Sequence, residues 1–425
     1  MQTFTTYLCT FLLLMSQAAA SSKTLYPSPF THLGSISVEK PAFLYLVPNG
    51  ANSTSLLITH FKVFGNGRVT AVHRIGDHLE SLEETQVEIW NTTTAWPNEI
   101  QPVPQEIFGA HHFSVAGGFL VPGKANGSVK IFRCQIPEIS LQDLCTQYSE
   151  ANPASITVSK RGWWYHRVEW VDMNADGLLD MVTARARKPI LGGGQGELIW
   201  MEQPQNPHQM PWQEHLIGKG PDVHFLVEDL NHDGQMEILS TEFFQQKLSL
   251  YYLEDGTWKY RIIDDNLGAG FDLSITDLNN DSKLDILATN HQADSSASIY
   301  AYELPEDPIH GQWTRHTLLT GIETRNKGQG QGSPGSAFSS FPDPSSQLRK
   351  PLILASGDGS QRVHFLSPVS EDPANWEYSE SILLDVGSTI GQIAIADVDS
   401  DGFVEVFVPA YDAGRIEVFT TRRSH

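Results

Sequence analysis

Four nine-residue segments of this 425-residue chain carry oxygen-bearing side chains at their first, third, fifth and ninth positions. The first supplies Asp172, Asn174, Asp176 and Asp180, and the second Asp229, Asn231, Asp233 and Glu237. The third supplies Asp277, Asn279, Asp281 and Asp285, and the fourth Asp397, Asp399, Asp401 and Glu405. Alternate oxygens that converge in a tight turn suit a hard divalent cation, and calcium takes about six to eight of them. Leu178, Gln235, Lys283 and Phe403 at position 7 would add backbone carbonyls. Gly177, Gly234 and Gly402 at position 6 permit a positive φ; Ser282 in the third segment costs strain, so that site is expected to be the weakest. A helix–loop–helix calcium site needs Glu at position 12, where this chain has Thr183, Ser240, Ala288 and Val408. Magnesium is less suited to a loop so dense in protein oxygens. The expectation is about four Ca2+ ions with a structural rather than a sensory role, since binding to the native state alone adds stability.

The flanking residues say which elements hold these loops. Each loop follows a short apolar run such as Val168–Val171 or Ile393–Ala396 and precedes another, such as Met181–Ala184 or Ile286–Thr289. Two β-rich runs around a turn read as a hairpin. A third run follows (Glu197–Trp200, Leu248–Tyr251, Ser298–Ala301, Ile416–Phe419), and then a fourth begins near Trp212, Trp258, Trp313 or Trp376. Four short antiparallel strands per repeat make a propeller blade. Weaker copies extend the series. Residues 343–351 fill a loop slot before Leu352, and Leu120–Phe132 aligns without a gap on Phe407–Phe419, which places a loop slot at 110–118. The first copy has Leu57–Phe61 as its second strand after a degenerate loop at 48–56. Loop starts from Asp172 are 57, 48, 66 and 54 residues apart, one blade each. The reading is an all-β, seven-bladed β-propeller of four-stranded antiparallel blades, spanning residues 21–425 as one domain. Phe30–Gly34 resembles the fourth-strand pattern Trp212–Leu216, so the N-terminus is expected to complete the last blade.

Residues 1–20 read as a secretory signal peptide: the apolar run Tyr7–Met15 is too short to span a bilayer and ends in Ala18–Ala20. The expectation is a secreted, extracellular chain with no membrane span. Cys134 and Cys145 would pair as a disulfide in that compartment, the alternative being two buried thiols. Sequons at Asn52, Asn91 and Asn126 fit a glycoprotein. A fourth, at Asn280, falls inside the third loop, where a glycan would conflict with folding, and it is set aside. The net charge of −22 disfavours nucleic acid and anionic membranes as partners. Thirteen of the 50 carboxylates lie in the four loops, so about a third of that charge would be offset by four divalent ions.

The pattern D-x-[DN]-x-D-G-x-x-[DE], repeated through a β-rich chain, resembles the FG-GAP/VCBS repeat family, which includes the propeller heads of integrin α-subunits. The resemblance covers roughly residues 30–420 and is specific in the four loops. It implies the fold and calcium binding and transfers no ligand. The Phe-Gly and Gly-Ala-Pro signatures are not cleanly present, and the sixth loop is lost.

Counting five residues back from each loop start gives Arg167, His224, Asp272 and Gln392. If first strands line the channel, these residues share one height near its mouth and could grip a sugar or a carboxylated ligand. An ordinary polar channel lining is the plainer reading. Trp163–His166 could stack on a sugar, but core packing is expected of it, and His111, His112 and His291 read as surface or loop histidines. Two functions follow. One is a non-catalytic extracellular module that binds protein or glycan. The other is a carbohydrate-active enzyme of lyase or dehydratase type, with Arg167, His224 and Asp272 in its catalytic parts. A structural role in a mineral or cuticle matrix is a third, and the absence of long acidic runs leaves it without distinctive support. No recurring nucleophile–base motif is present, which favours the binding module.

Overall fold

The computed structural model describes residues 29–48, 53–62, 65, 67–90, 94–109, 112–119, 124–134, 145–147, 157–189, 192–209, 211–326, 331–342 and 350–422. The proposed signal peptide, Asn52, Asn91 and most of the sixth loop slot lie outside them. Seven antiparallel sheets follow one another along the chain. Blade 1 comprises Pro41–Pro48, Thr54–His60, Arg68–Val72 and Glu88–Trp90. Blade 3 comprises Trp164–Val171, Asp180–Arg187, Gln195–Glu202 and Gln213–Lys219; blade 4 comprises His224–Glu228, Glu237–Glu242, Lys247–Glu254 and Thr257–Asp264. Blade 5 comprises Gly270–Thr276, Asp285–Asn290, Ser298–Glu303 and Thr314–Thr320; blade 6 comprises Ala337–Ser340, Leu352–Ser356, Arg362–Pro368 and Tyr378–Asp385. Blade 7 has Ala394–Ala396, Glu405–Ala410 and Arg415–Thr420, and its fourth strand is Thr31–Ser37 from the other end of the chain.

Blade 2 departs from the expected register. Its strands are Pro97–Val103, His112–Gly117 and Ser128–Cys134, with two short pieces, Cys145–Gln147 and Thr157–Val158, sharing the outer edge. Residues 112–117 are therefore its second strand, and the slot read at 110–118 is no loop. The gapless alignment failed because the turn between the second and third strands runs from Gly118 to Gly127, whereas in blade 7 Ala410 and Arg415 close a short one.

Burial explains why the second strands are near-continuous apolar runs. Glu237–Glu242, Asp285–Asn290 and Glu405–Ala410 are buried at every residue, because each blade packs face to face on two neighbours. Fourth strands lie at the rim, and Thr257–Asp264 has no buried residue. The apolar side chains fall into seven clusters, one in each seam between blades. The cluster that closes the ring joins Leu44, Leu56 and Ile58 of blade 1 to Phe407 and Ile416 of blade 7 and to Ile36 of the N-terminal strand.

The closing seam also joins backbone to backbone. The Leu44 amide donates to the Gln392 carbonyl at 3.2 Å. At Gly391 a Cβ would lie 1.7 Å from the carbonyl oxygen of Ala42, an atom that cannot move without shifting the blade. Gly391→Ala is expected to destabilise the fold by about 1–3 kcal/mol. A urea melt indistinguishable from the parent would show that the seam tolerates the added methyl.

Candidate functional site

The four acidic loops connect the first and second strands of blades 3, 4, 5 and 7 and share one geometry. Asp at position 1 accepts two backbone N–H bonds, from positions 5 and 6: Asp172 from Asp176 and Gly177 at 3.1 and 2.8 Å, Asp229 from Asp233 and Gly234 at 3.0 Å each. Asp277 and Asp397 repeat the pattern with Asp281 and Ser282 and with Asp401 and Gly402. Position 3 accepts from the amide of position 5, and position 5 from that of position 7, in each loop. Two residues take positive φ. Position 6 was expected; position 4 (Ala175, His232, Asn280, Ser400, φ 58–61°) was not legible in its mixed residue types.

Position 9 does two jobs. Asp180, Glu237, Asp285 and Glu405 each begin the second strand, so the sheet fixes them, and each turns one oxygen back to accept the amide of loop position 2. All four are buried. Burial, reinforced by the other loop carboxylates, pushes Asp180 up to about 6 and Glu237, Asp285 and Glu405 to about 7. A divalent cation among these oxygens would supply the missing countercharge. The donor set fits calcium, since every ligating side-chain atom would be oxygen. Ligand oxygens of Asp397, Asp399 and Glu405 lie within 4.8 Å of one another. The other loops have Asn at position 3, which offers an amide oxygen in place of that third carboxylate.

At the opposite end of the first strands, three of the four channel residues come together. Arg167 donates to Glu99 at 3.0 Å and meets His224 Nε2 at 2.5 Å, and His224 Nδ1 lies 3.0 Å from Asp272. A guanidinium only donates, so Nε2 accepts from Arg167, while Nδ1 faces both Asp272 and the Leu273 amide, which donates to it at 3.2 Å. Burial and the Arg167 charge hold His224 well below its usual range. Arg167 also forks onto Glu169, and Glu99 accepts the Val168 amide at 3.1 Å. Asp272 in turn accepts the Ala337 amide at 3.0 Å. The chain of contacts thus links blades 2 to 6. Burial raises Glu99 to about 7 and Asp272 to about 6, against the opposing pull of Arg167. Gln392 does not join; it contacts blade 1 through its backbone. Sequence counting missed Glu99 because its blade has no acidic loop to count from. The signal is a β-bulge: Glu99 and Arg167 sit at matching breaks in the ladders of their inner strands, where a bulge re-aims a side chain.

Against this geometry, a match to the FG-GAP-like repeat family covers residues 229–288, from the second acidic loop into the second strand of blade 5. The chain is a seven-bladed β-propeller that contains an FG-GAP-like repeat at residues 229–288. No curated protein matches it. Among solved structures, a provisionally named 6-phosphogluconolactonase from Bacteroides uniformis is 14% identical, with a TM-score of 0.47, over 83% of this chain and 88% of that one.

Three other readings of the propeller are settled by burial. Trp163, Trp164 and Tyr165 are core residues, with Lys160, Arg185 and Arg187 around the Trp163 ring. His112 is neither surface nor loop, being buried in the second strand of blade 2; His291 is in a loop, just after the second strand of blade 5, but is buried with its ring 4.9 Å from that of Phe271. His111 lies outside the described residues. In blade 6, Ser360 Oγ lies 2.9 Å from His364 Nε2, and His364 Nδ1 lies 2.7 Å from Glu380. That is the spacing of a nucleophile, a base and an orienting acid. Ser360 is 0% exposed, so no substrate carbonyl can reach its hydroxyl, and the chain of bonds serves to hold the hairpin.

Proposed function

We propose that this protein is a secreted, calcium-binding propeller that acts as an extracellular binding module for a protein or glycan. Calcium holds the first strand of blades 3, 4, 5 and 7 to the second. One observation carries the metal part: four loops in four blades repeat the same oxygen placement, each with a buried carboxylate that no cationic side chain among the described residues pairs. The holding residues are those of positions 1, 3, 5 and 9, with Asp172, Asp229, Asp277 and Asp397 leading. The signal-peptide reading of residues 1–20 supports secretion, and the ladder that sets Cys134 opposite Cys145 supports the disulfide.

The enzyme reading loses its central residue. An acid–base site acting on a carboxylated sugar needs a cation free to meet the substrate, and the Arg167 guanidinium is already engaged by Glu99 and Glu169. The binding reading needs no such free group. Calorimetric titration of the calcium-stripped protein should give about four ions, and Asp397→Ala should remove one of them and leave the other three. Loss of all four, or no heat at all, would refute independent loop sites. A glycan array and a lyase assay on uronate-containing polymers test the module itself; unsaturated product abolished by Arg167→Ala would restore the enzyme.

A further inference from the structure

The third loop differs from its three counterparts at one backbone position, and the difference has no packing reason. Position 6 is Gly177, Gly234 or Gly402 elsewhere, at φ 85–89°, whereas Ser282 takes φ 67°. Around Gly177 and Gly234 an added Cβ would meet nothing within 4 Å, so the obstacle to a side chain there is backbone strain alone. Ser282 is exposed, and no described residue hydrogen-bonds its hydroxyl. What the serine does create is the triplet Asn280-Asp281-Ser282.

We propose that Asn280 is a site of N-linked glycosylation, carried on the face of the propeller that holds the acidic loops. This rests on the secretory reading above. The observations that would forbid a glycan are absent. Asn280 sits at position 4, outside the alternating series of cation-binding positions, so a glycan removes no ligand. Its residue is exposed, and only its backbone amide is engaged, donating to Asp277 at 2.6 Å. Its φ of 61° is a conformation that asparagine adopts more readily than other side chains. The matching positions carry Ala175, His232 and Ser400 at φ 58–61°, so the conformation belongs to the loop and needs no adjustment for the modification. In the transfer, an oligosaccharide moves from a lipid-diphosphate donor to the side-chain amide nitrogen. The bond from its first sugar carbon to the diphosphate oxygen breaks, a bond from that carbon to Nδ2 forms, Nδ2 gives up one proton, and the lipid diphosphate leaves. Because the acceptor is used while the chain is entering the secretory compartment, the loop need not fold around a cation first.

The test is glycopeptide mass spectrometry on the full chain expressed in a eukaryotic host and recovered from cells and medium together, with glycosidase conversion of occupied Asn to Asp. The expected result is occupancy at Asn280 together with Asn126, which is exposed and accepts the Gly162 amide through its side-chain oxygen at 2.7 Å. Asn280→Gln and Ser282→Gly should each remove one glycan's mass. Ser282→Gly restores the glycine of the other loops, so its melting temperature should equal or exceed that of the parent, which separates loss of the sequon from loss of the fold. Asn126 occupied with Asn280 bare overturns the proposal alone. All four sequons bare overturns the secretory reading and the proposal with it.

Discussion

Stripping calcium with EDTA is expected to lower the melting temperature of the propeller by about 10 °C. An ion held at a hundredfold its dissociation constant stabilises the fold by about 2.7 kcal/mol, so four loops contribute about 10 kcal/mol. Unfolding a chain of this length carries an entropy near 2.1 cal/mol/K per residue, which converts each kcal/mol to about 1 °C. The buried position-nine carboxylates add a pH dependence. In the ion-free protein their pKa values lie at about 6 to 7, above the roughly 4 of an unfolded carboxylate. A group raised in this way favours the fold while protonated, and that contribution is lost as pH rises through the folded value. Calcium replaces the proton, so its stabilising effect should be small at pH 5 and large at pH 8. Scanning fluorimetry with and without chelator at both pH values measures this. Equal melting temperatures at pH 8 would remove calcium from the account, and an effect independent of pH would remove the position-nine carboxylates from its binding site.

Arg167→Met should be the most damaging single substitution among the channel residues, at about 3–5 kcal/mol, because removing one partner leaves buried charge uncompensated. Glu99 and Asp272 would face each other across the neutral His224 without the guanidinium between them. Gln392→Ala, at the matching position of blade 7, should stay within about 0.5 kcal/mol. A double-mutant cycle with Glu99→Gln isolates the pair, with an expected coupling of about 0.5–3 kcal/mol. Additive effects in urea melts would mean that the contact contributes nothing. Equal losses at Arg167 and Gln392 would mean that the damage is generic to the channel height.

The loops and the closure of the ring were legible because both are local patterns that recur. Nine-residue spacing reports a turn whatever the blade around it does, and Phe30–Gly34 resembles Trp212–Leu216 in setting an aromatic residue shortly before a His-Leu pair. The likeness extends to the histidines, since His32 stands opposite Phe419 in its ladder as His215 stands opposite Trp200, each ring against that aromatic one. Blade 2 was misread because alignment without gaps cannot see that one turn has lengthened. Counting from the loops found three members of the channel chain and could not reach the fourth, since Glu99 belongs to a blade without a loop. The burial of the histidines was not legible for a different reason. Nothing in the sequence near His112 or His291 shows that a neighbouring blade will cover it.

The strand Thr31–Ser37 sits at the start of the described chain, and its partner sits at the end; His32 and Glu417 are 385 residues apart. At a synthesis rate of about 5–20 residues per second, roughly 20–80 seconds separate the two. Among the described residues, the first strand to be made is therefore the last to find its sheet. Through that interval it must stay extended and unclaimed, and its composition suits the wait: Thr-His-Leu-Gly-Ser-Ile-Ser has two large apolar residues, a poor template for pairing with another chain. The ring is closed by the part of the molecule that has had the longest time to go astray.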